Sequence, residues 1–158
     1  MKKSKKRKSK SRLKEKHGLN IWVDGGSLGA SGPSVFAYIF KNSHGDIISK
    51  SSGYLGIVSS SIAEYLAIIN ALNSAEYFLH RDINVFSDCL SVVNHINKEN
   101  PKKPVYFLEL HRSVKKLINK FPSINFHHVS RNHPLIQKCH NLCSSCIKNL
   151  RISKVWPY

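Results

Sequence analysis

Three acidic residues stand where a carboxylate can do chemistry. Asp24 follows the apolar run Ile21-Trp22-Val23 and precedes Gly25-Gly26-Ser27. Glu64 ends Ser59-Ser60-Ser61-Ile62-Ala63-Glu64, and Asp88 closes Val85-Phe86-Ser87-Asp88. Each has a local explanation as well. Asp-Gly is a common hairpin turn signal. Ser61 to Glu64 has the spacing of a capping box, with Glu64 reaching back to the Ser61 amide. Asp88 suits the N-cap of a following helix. If the three instead gather at one place, they offer hard oxygen ligands to divalent cations, without which they repel one another and shift in pKa.

The elements that must position them follow from hydrophobic periodicity. Leu19 to Asp24 reads as a buried strand that ends in a sharp turn on the two glycines, and Ser34 to Lys41 as a second strand. Asn42-Ser43-His44-Gly45-Asp46 is a hairpin turn into a third strand, Ile47 to about Leu55. From Ser61 to about Leu79 the period becomes helical, with Ile62, Tyr65, Leu66, Ile69 and Leu72 recurring so densely that the helix is apolar almost all round. Ile83 to Ser87 is a fourth strand, followed by a helix to about Asn97. After Pro101 and Pro104 a helix runs from about Val105 to Phe121. One side is apolar; the other gathers Arg112, Lys115, Lys116 and Lys120, a surface for phosphates or simply a solvated face. Ile124 to Val129 forms a fifth strand, and Pro134 to about Leu150 a last helix.

In this order the three acids fall at a strand end, a helix start and a strand end. From Asp24-Gly25-Gly26-Ser27-Leu28-Gly29 through Gly32-Pro33, the two segments ending on Glu64 and Asp88, and His133-Pro134 to Leu142, the chain resembles ribonuclease H of type 1. The resemblance covers about Leu19 to Leu150. It implies an α/β fold, a five-stranded mixed sheet flanked by helices, with Asp24, Glu64 and Asp88 as metal ligands. It further implies an endoribonuclease that hydrolyses the RNA strand of RNA/DNA hybrids with two Mg²⁺ or Mn²⁺ ions. Gly25, Gly26, Ser27, Ser60, Ser61 and Arg131 are then the expected nucleic-acid contacts, joined by Arg112, Lys115 and Lys116. His133, better placed than His128, is the expected loop histidine for proton movement or product release.

The resemblance also exposes departures. His140 occupies the position where the family's last helix presents a fourth acid. An imidazole suits softer ions than Mg²⁺ and brings no negative charge, so the second metal site is expected to be weaker and Mn²⁺ to serve better than Mg²⁺. Ala30, Ser60 and Ser61 stand where family members often carry amide side chains. The link from Lys98 to Pro104 is too short for the basic protrusion that many members have. Three alternatives remain: a non-catalytic nucleic-acid-binding module on the same fold, a related nuclease of different substrate preference, and a small basic protein with an adventitious match.

Charge points to the same partners. Among 158 residues, 25 Lys and Arg stand against 9 Asp and Glu, a formal net charge of +16 that favours polyanions. Residues 1–18 read as a disordered basic arm that grips phosphates regardless of sequence and compensates for the missing protrusion. Residues 19–150 are the single domain and 151–158 a tail. No apolar run approaches the roughly 18 residues of a membrane span, and no apolar signal segment precedes the four cysteines. We expect a monomer without a membrane partner in a reducing intracellular setting: cytoplasmic, or nuclear if eukaryotic. Cys139, His140, Cys143 and Cys146 have the residue types of a zinc site, but their spacing aligns the thiols on one helix face, where they pack as small apolar groups.

Overall fold

The computed structural model describes residues 18–79, 81–98 and 104–152. The basic arm through residue 17, the middle of the Lys98–Pro104 link and the last six residues lie outside the described residues. Among the described residues five strands form one mixed sheet: β1 (Leu19–Ser27), β2 (Ser31–Lys41), β3 (Ile47–Ser59), β4 (Ile83–Ser87) and β5 (Ile124–His128), in the order β3-β2-β1-β4-β5. β1 pairs antiparallel with β2 and parallel with β4; β2 and β3 are antiparallel, β4 and β5 parallel. The helices are α1 (Ser60–Ser74), α2 (Leu90–Ile96), α3 (Val105–Ile118) and α4 (Pro134–Ile152). None among the described residues is long and apolar enough to cross a membrane.

Alternation along β1 decides what faces what. Leu19, Ile21 and Val23 join the core beneath α1, α2 and α3, whereas Trp22 packs with Val35, Ala37, Ile39 and Phe86 against Leu135, Ile136, Cys139 and Cys143 of α4. Asp24, two residues beyond Trp22, lies on the α4 face of the sheet. α1 is buried along much of its length, as its all-round apolarity requires, with Ala63, Tyr65, Ala67, Ile68, Ala71 and Leu72 inside.

Three local expectations are corrected. The sharp turn at Gly25-Gly26 does not form: β1 continues through both glycines, with Asp24 opposite Ala37 and Gly25 opposite Phe36, and the chain bends only at Leu28–Ala30. Gly25 is needed for close approach instead, because a Cβ there would lie 2.3 Å from the Ala63 carbonyl oxygen. The cap of α1 is Ser59, whose hydroxyl accepts the Ile62 amide at 3.4 Å, so the Ser61–Glu64 capping box is absent. Nor is Asp88 an N-cap; Cys89 occupies that position, and its amide bonds the Ser87 hydroxyl at 3.0 Å.

A candidate metal centre

Asp24, Glu64 and Asp88 come from three elements that meet at one edge of the β1–β4 seam. One ligand oxygen from each lies within 4.8 Å of the others. β1 carries Asp24, which is 7% exposed. The second turn of α1 supplies Glu64, brought in by the backbone contact at Gly25, and the Gly25 amide donates to the Glu64 carboxylate. Asp88 follows directly on β4.

The carboxylates are costly together. Burial, then the charges of Asp24 and Asp88, raise the Glu64 carboxyl well above its ordinary range, against the opposing pull of the Gly25 amide and Arg131. Asp24 is raised too, first by burial and next by Asp88, while His140 and the Cys143 thiol pull the other way. Among the described residues Glu64 Oε2 is buried without a hydrogen-bond partner. A buried acceptor left so is expensive, and a cation between the acids answers both problems.

Around the acids lies a pocket of about 320 Å³, lined also by Gly25, Gly26, Ser27, Ser60, Arg131 and His140. His140 projects from α4 with Nδ1 3.4 Å from Asp24 Oδ2, its side chain about half exposed. Arg131 is held at the rim by its own loop: the Gln137 side-chain amide donates to the Arg131 carbonyl at 2.6 Å, and the His133 amide to the Ser130 carbonyl at 2.9 Å.

Other anticipated residues stand elsewhere. Ser61 is exposed on α1 outside the pocket lining. His133 stacks on Trp22 at 5.9 Å between ring centroids, and its Nδ1 accepts the Leu135 amide at 3.2 Å, which ties it to the start of α4. Arg112, Lys115 and Lys116 lie on α3, apart from the pocket, and Lys120 just beyond them pairs with Glu76. The cysteines form no zinc cluster among the described residues. Cys139 and Cys143 instead donate to the carbonyls of Trp22 at 3.4 Å and Asp24 at 3.7 Å, and burial pushes both thiols up. Cys143 and Ser144 also line the pocket, which sequence reasoning missed. Their spacing of three and four residues from His140 is the signal that could have found them.

The profile of the reverse transcriptase-like family matches residues 22–146. The bifunctional protein Rv2228c of Mycobacterium tuberculosis is 28% identical over 112 residues, covering 70% of this chain and 31% of that protein. The chain thus spans about a third of the length of the curated relatives it matches. Ribonuclease H1 from the halophilic archaeon Halobacterium salinarum NRC-1 superposes with a TM-score of 0.77 at 21% identity, over 83% of this chain and 98% of that one. LC11-RNase H1, solved in complex with an RNA/DNA hybrid, gives 0.78 at 22% identity, over 84% and 99%.

Proposed function

The chain belongs to the reverse transcriptase-like family and carries the ribonuclease H fold, and from that premise we propose that it is a metal-dependent endoribonuclease acting on the RNA strand of RNA/DNA hybrids. One observation carries the reading: three carboxylates from separate elements present ligand oxygens within 4.8 Å of one another inside an open pocket. Scattered surface acids do not require the tight glycine contact that brings α1 to β1 here. The structural neighbours, ribonucleases H1 with one solved on an RNA/DNA hybrid, favour the same substrate class.

The donor set fits hard divalent ions. Every first-choice ligand is a carboxylate oxygen, and the lone Glu64 Oε2, with the mutual repulsion that adds to burial in raising Asp24 and Glu64, fits acids arranged around a cation. Asp24, Glu64 and Asp88 would hold Mg²⁺ or Mn²⁺, with His140 at the position of a fourth ligand. When bound, a pair of such ions supplies activation of a water and stabilisation of the leaving oxygen for in-line displacement at phosphorus.

The chain's own residues do the rest. The Gly25 amide orients Glu64, and burial of Asp24 limits its motion. Arg131 at the rim meets a backbone phosphate, and the Ser27 and Ser60 hydroxyls at the mouth can read a 2′-hydroxyl, the group that separates RNA from DNA. His140 contributes nitrogen where the family has oxygen, and so weakens the second ion's site, more for Mg²⁺ than for Mn²⁺. Arg112, Lys115 and Lys116 reach phosphates of the same duplex beyond the pocket, and the basic arm adds a clamp without sequence preference.

The test is a panel of labelled RNA/DNA, RNA/RNA and DNA/DNA duplexes with Mg²⁺ or Mn²⁺, and Asp24→Asn as control. Cleavage confined to the RNA of the hybrid, absent in the variant, is the expected result. Binding without cleavage under every metal assigns a non-catalytic module instead, and cleavage of another duplex a nuclease of different preference.

A further inference from the structure

The cysteines of α4 do not act as metal ligands in the proposed reaction, yet their placement follows a rule. Trp22 and Asp24 are two residues apart on β1, a separation of about 6.6 Å. Cys139 and Cys143 are four apart on α4, about 6.0 Å. The two repeats match, and each thiol donates to the carbonyl of its strand counterpart, Cys139 to Trp22 and Cys143 to Asp24. The pairing of β1 with β4 stops at Trp22 opposite Phe86, so the thiols take hold of β1 from the point where its neighbour leaves it.

Between these contacts, one residue after Cys139 and three before Cys143, stands His140, with Nδ1 3.4 Å from the Asp24 carboxylate. Cys143 is 4% exposed and forms part of the pocket wall. Alanine would fill this space nearly as well but donate nothing. We propose that Cys139 and Cys143 are positioning residues of the metal centre: their S–H donors lock α4 in register on β1 and thereby fix His140 against Asp24. The inference rests on the metal-binding reading of Asp24, Glu64 and Asp88, and it assigns the Cys139–Cys143 spacing a task in the site rather than only in the core.

The experiment measures Mn²⁺ binding directly, by paramagnetic resonance of free Mn²⁺, on the full chain without nucleic acid, for wild type, Cys143→Ala and Cys143→Ser. Folded content is matched by circular dichroism. Removal of the donor in the alanine variant should weaken Mn²⁺ binding about fivefold, the scale of a single hydrogen bond, and serine, which keeps a donor, should restore most of it. Wild-type binding in the alanine variant, or serine no better than alanine, overturns the assignment. If Cys143→Ala does not fold, the Cys139→Ala and Cys139→Ser pair is read by the same criteria. Hybrid cleavage is followed separately. Mn²⁺ binding by a wild type that cuts no hybrid would defeat the nuclease reading and leave this inference standing, whereas absence of Mn²⁺ binding by wild type defeats both.

Discussion

At the scale of single residues, the Asp24 carboxyl shows that the site is built against the stability of its own fold. Burial and Asp88 raise its pKa, so folding favours the protonated form relative to the unfolded chain. Its contribution to stability is complete below the unfolded value near 4 and is lost as pH rises through the higher folded value. Asp24→Asn should therefore melt higher than wild type in metal-free buffer at pH 7, by a few degrees on the scale of roughly 2–4 °C per kcal/mol. The difference should close toward pH 4. Mn²⁺ should raise the wild-type melting temperature and leave the variant's nearly unchanged, because a ligand stabilises only the state that binds it. Thermal melts across pH, with and without the ion, check both halves. His140 gives the complementary case: His140→Asp should narrow the gap between Mn²⁺- and Mg²⁺-supported cleavage, read from titrations of the two metals.

At the scale of elements, the helix–strand approach at Gly25 decides whether the acids meet. A methyl there would lie 2.3 Å from the Ala63 carbonyl oxygen and 2.7 Å from the Glu64 amide nitrogen, backbone against backbone with no flexible side chain to yield, while a Cβ at Gly26 meets nothing within 4 Å. Gly25→Ala should cost about 3 kcal/mol or more and displace Glu64, whereas Gly26→Ala should cost under about 1 kcal/mol; urea denaturation of the pair measures the contrast. The same contact explains what sequence could and could not disclose. Apolar period disclosed five strands and the order of elements along the chain, whereas their union in one mixed sheet was what the resemblance to ribonuclease H implied. The ends of β1 and α1 were not legible, since Asp-Gly-Gly and Ser-x-x-Glu carry strong local signals, the first overridden by pairing with β2 and the second by the competing local cap at Ser59. Asp24, Glu64 and Asp88 stood out through their place in the order of elements. Cys143 did not: its spacing from His140 marks it as a helix neighbour, but the packing of α4 on β1 is what makes that neighbour a pocket wall as well as a core thiol.

At the scale of the whole molecule, the excess of positive charge is divided among regions with different reach. Arg131 sits at the pocket rim, Arg112, Lys115 and Lys116 lie on α3 apart from the pocket, and ten further basic residues precede Gly18. If all serve one duplex, they must separate by kinetic signature. Side chains that hold the duplex far from the reacting phosphate bind substrate and transition state alike, so Arg112→Glu with Lys116→Glu should raise KM while kcat stays within about twofold. Every phosphate deprived of its cationic partner should lower the slope of log affinity against log salt by about 0.9 for a B-form duplex, a hybrid being comparable in scale. Removal of residues 1–17 takes away ten cations and one acid, so it should flatten that slope by several such steps while kcat at low salt is retained. A deletion that leaves the salt slope unchanged would take the arm out of hybrid binding and leave α3 and the pocket rim to hold the duplex.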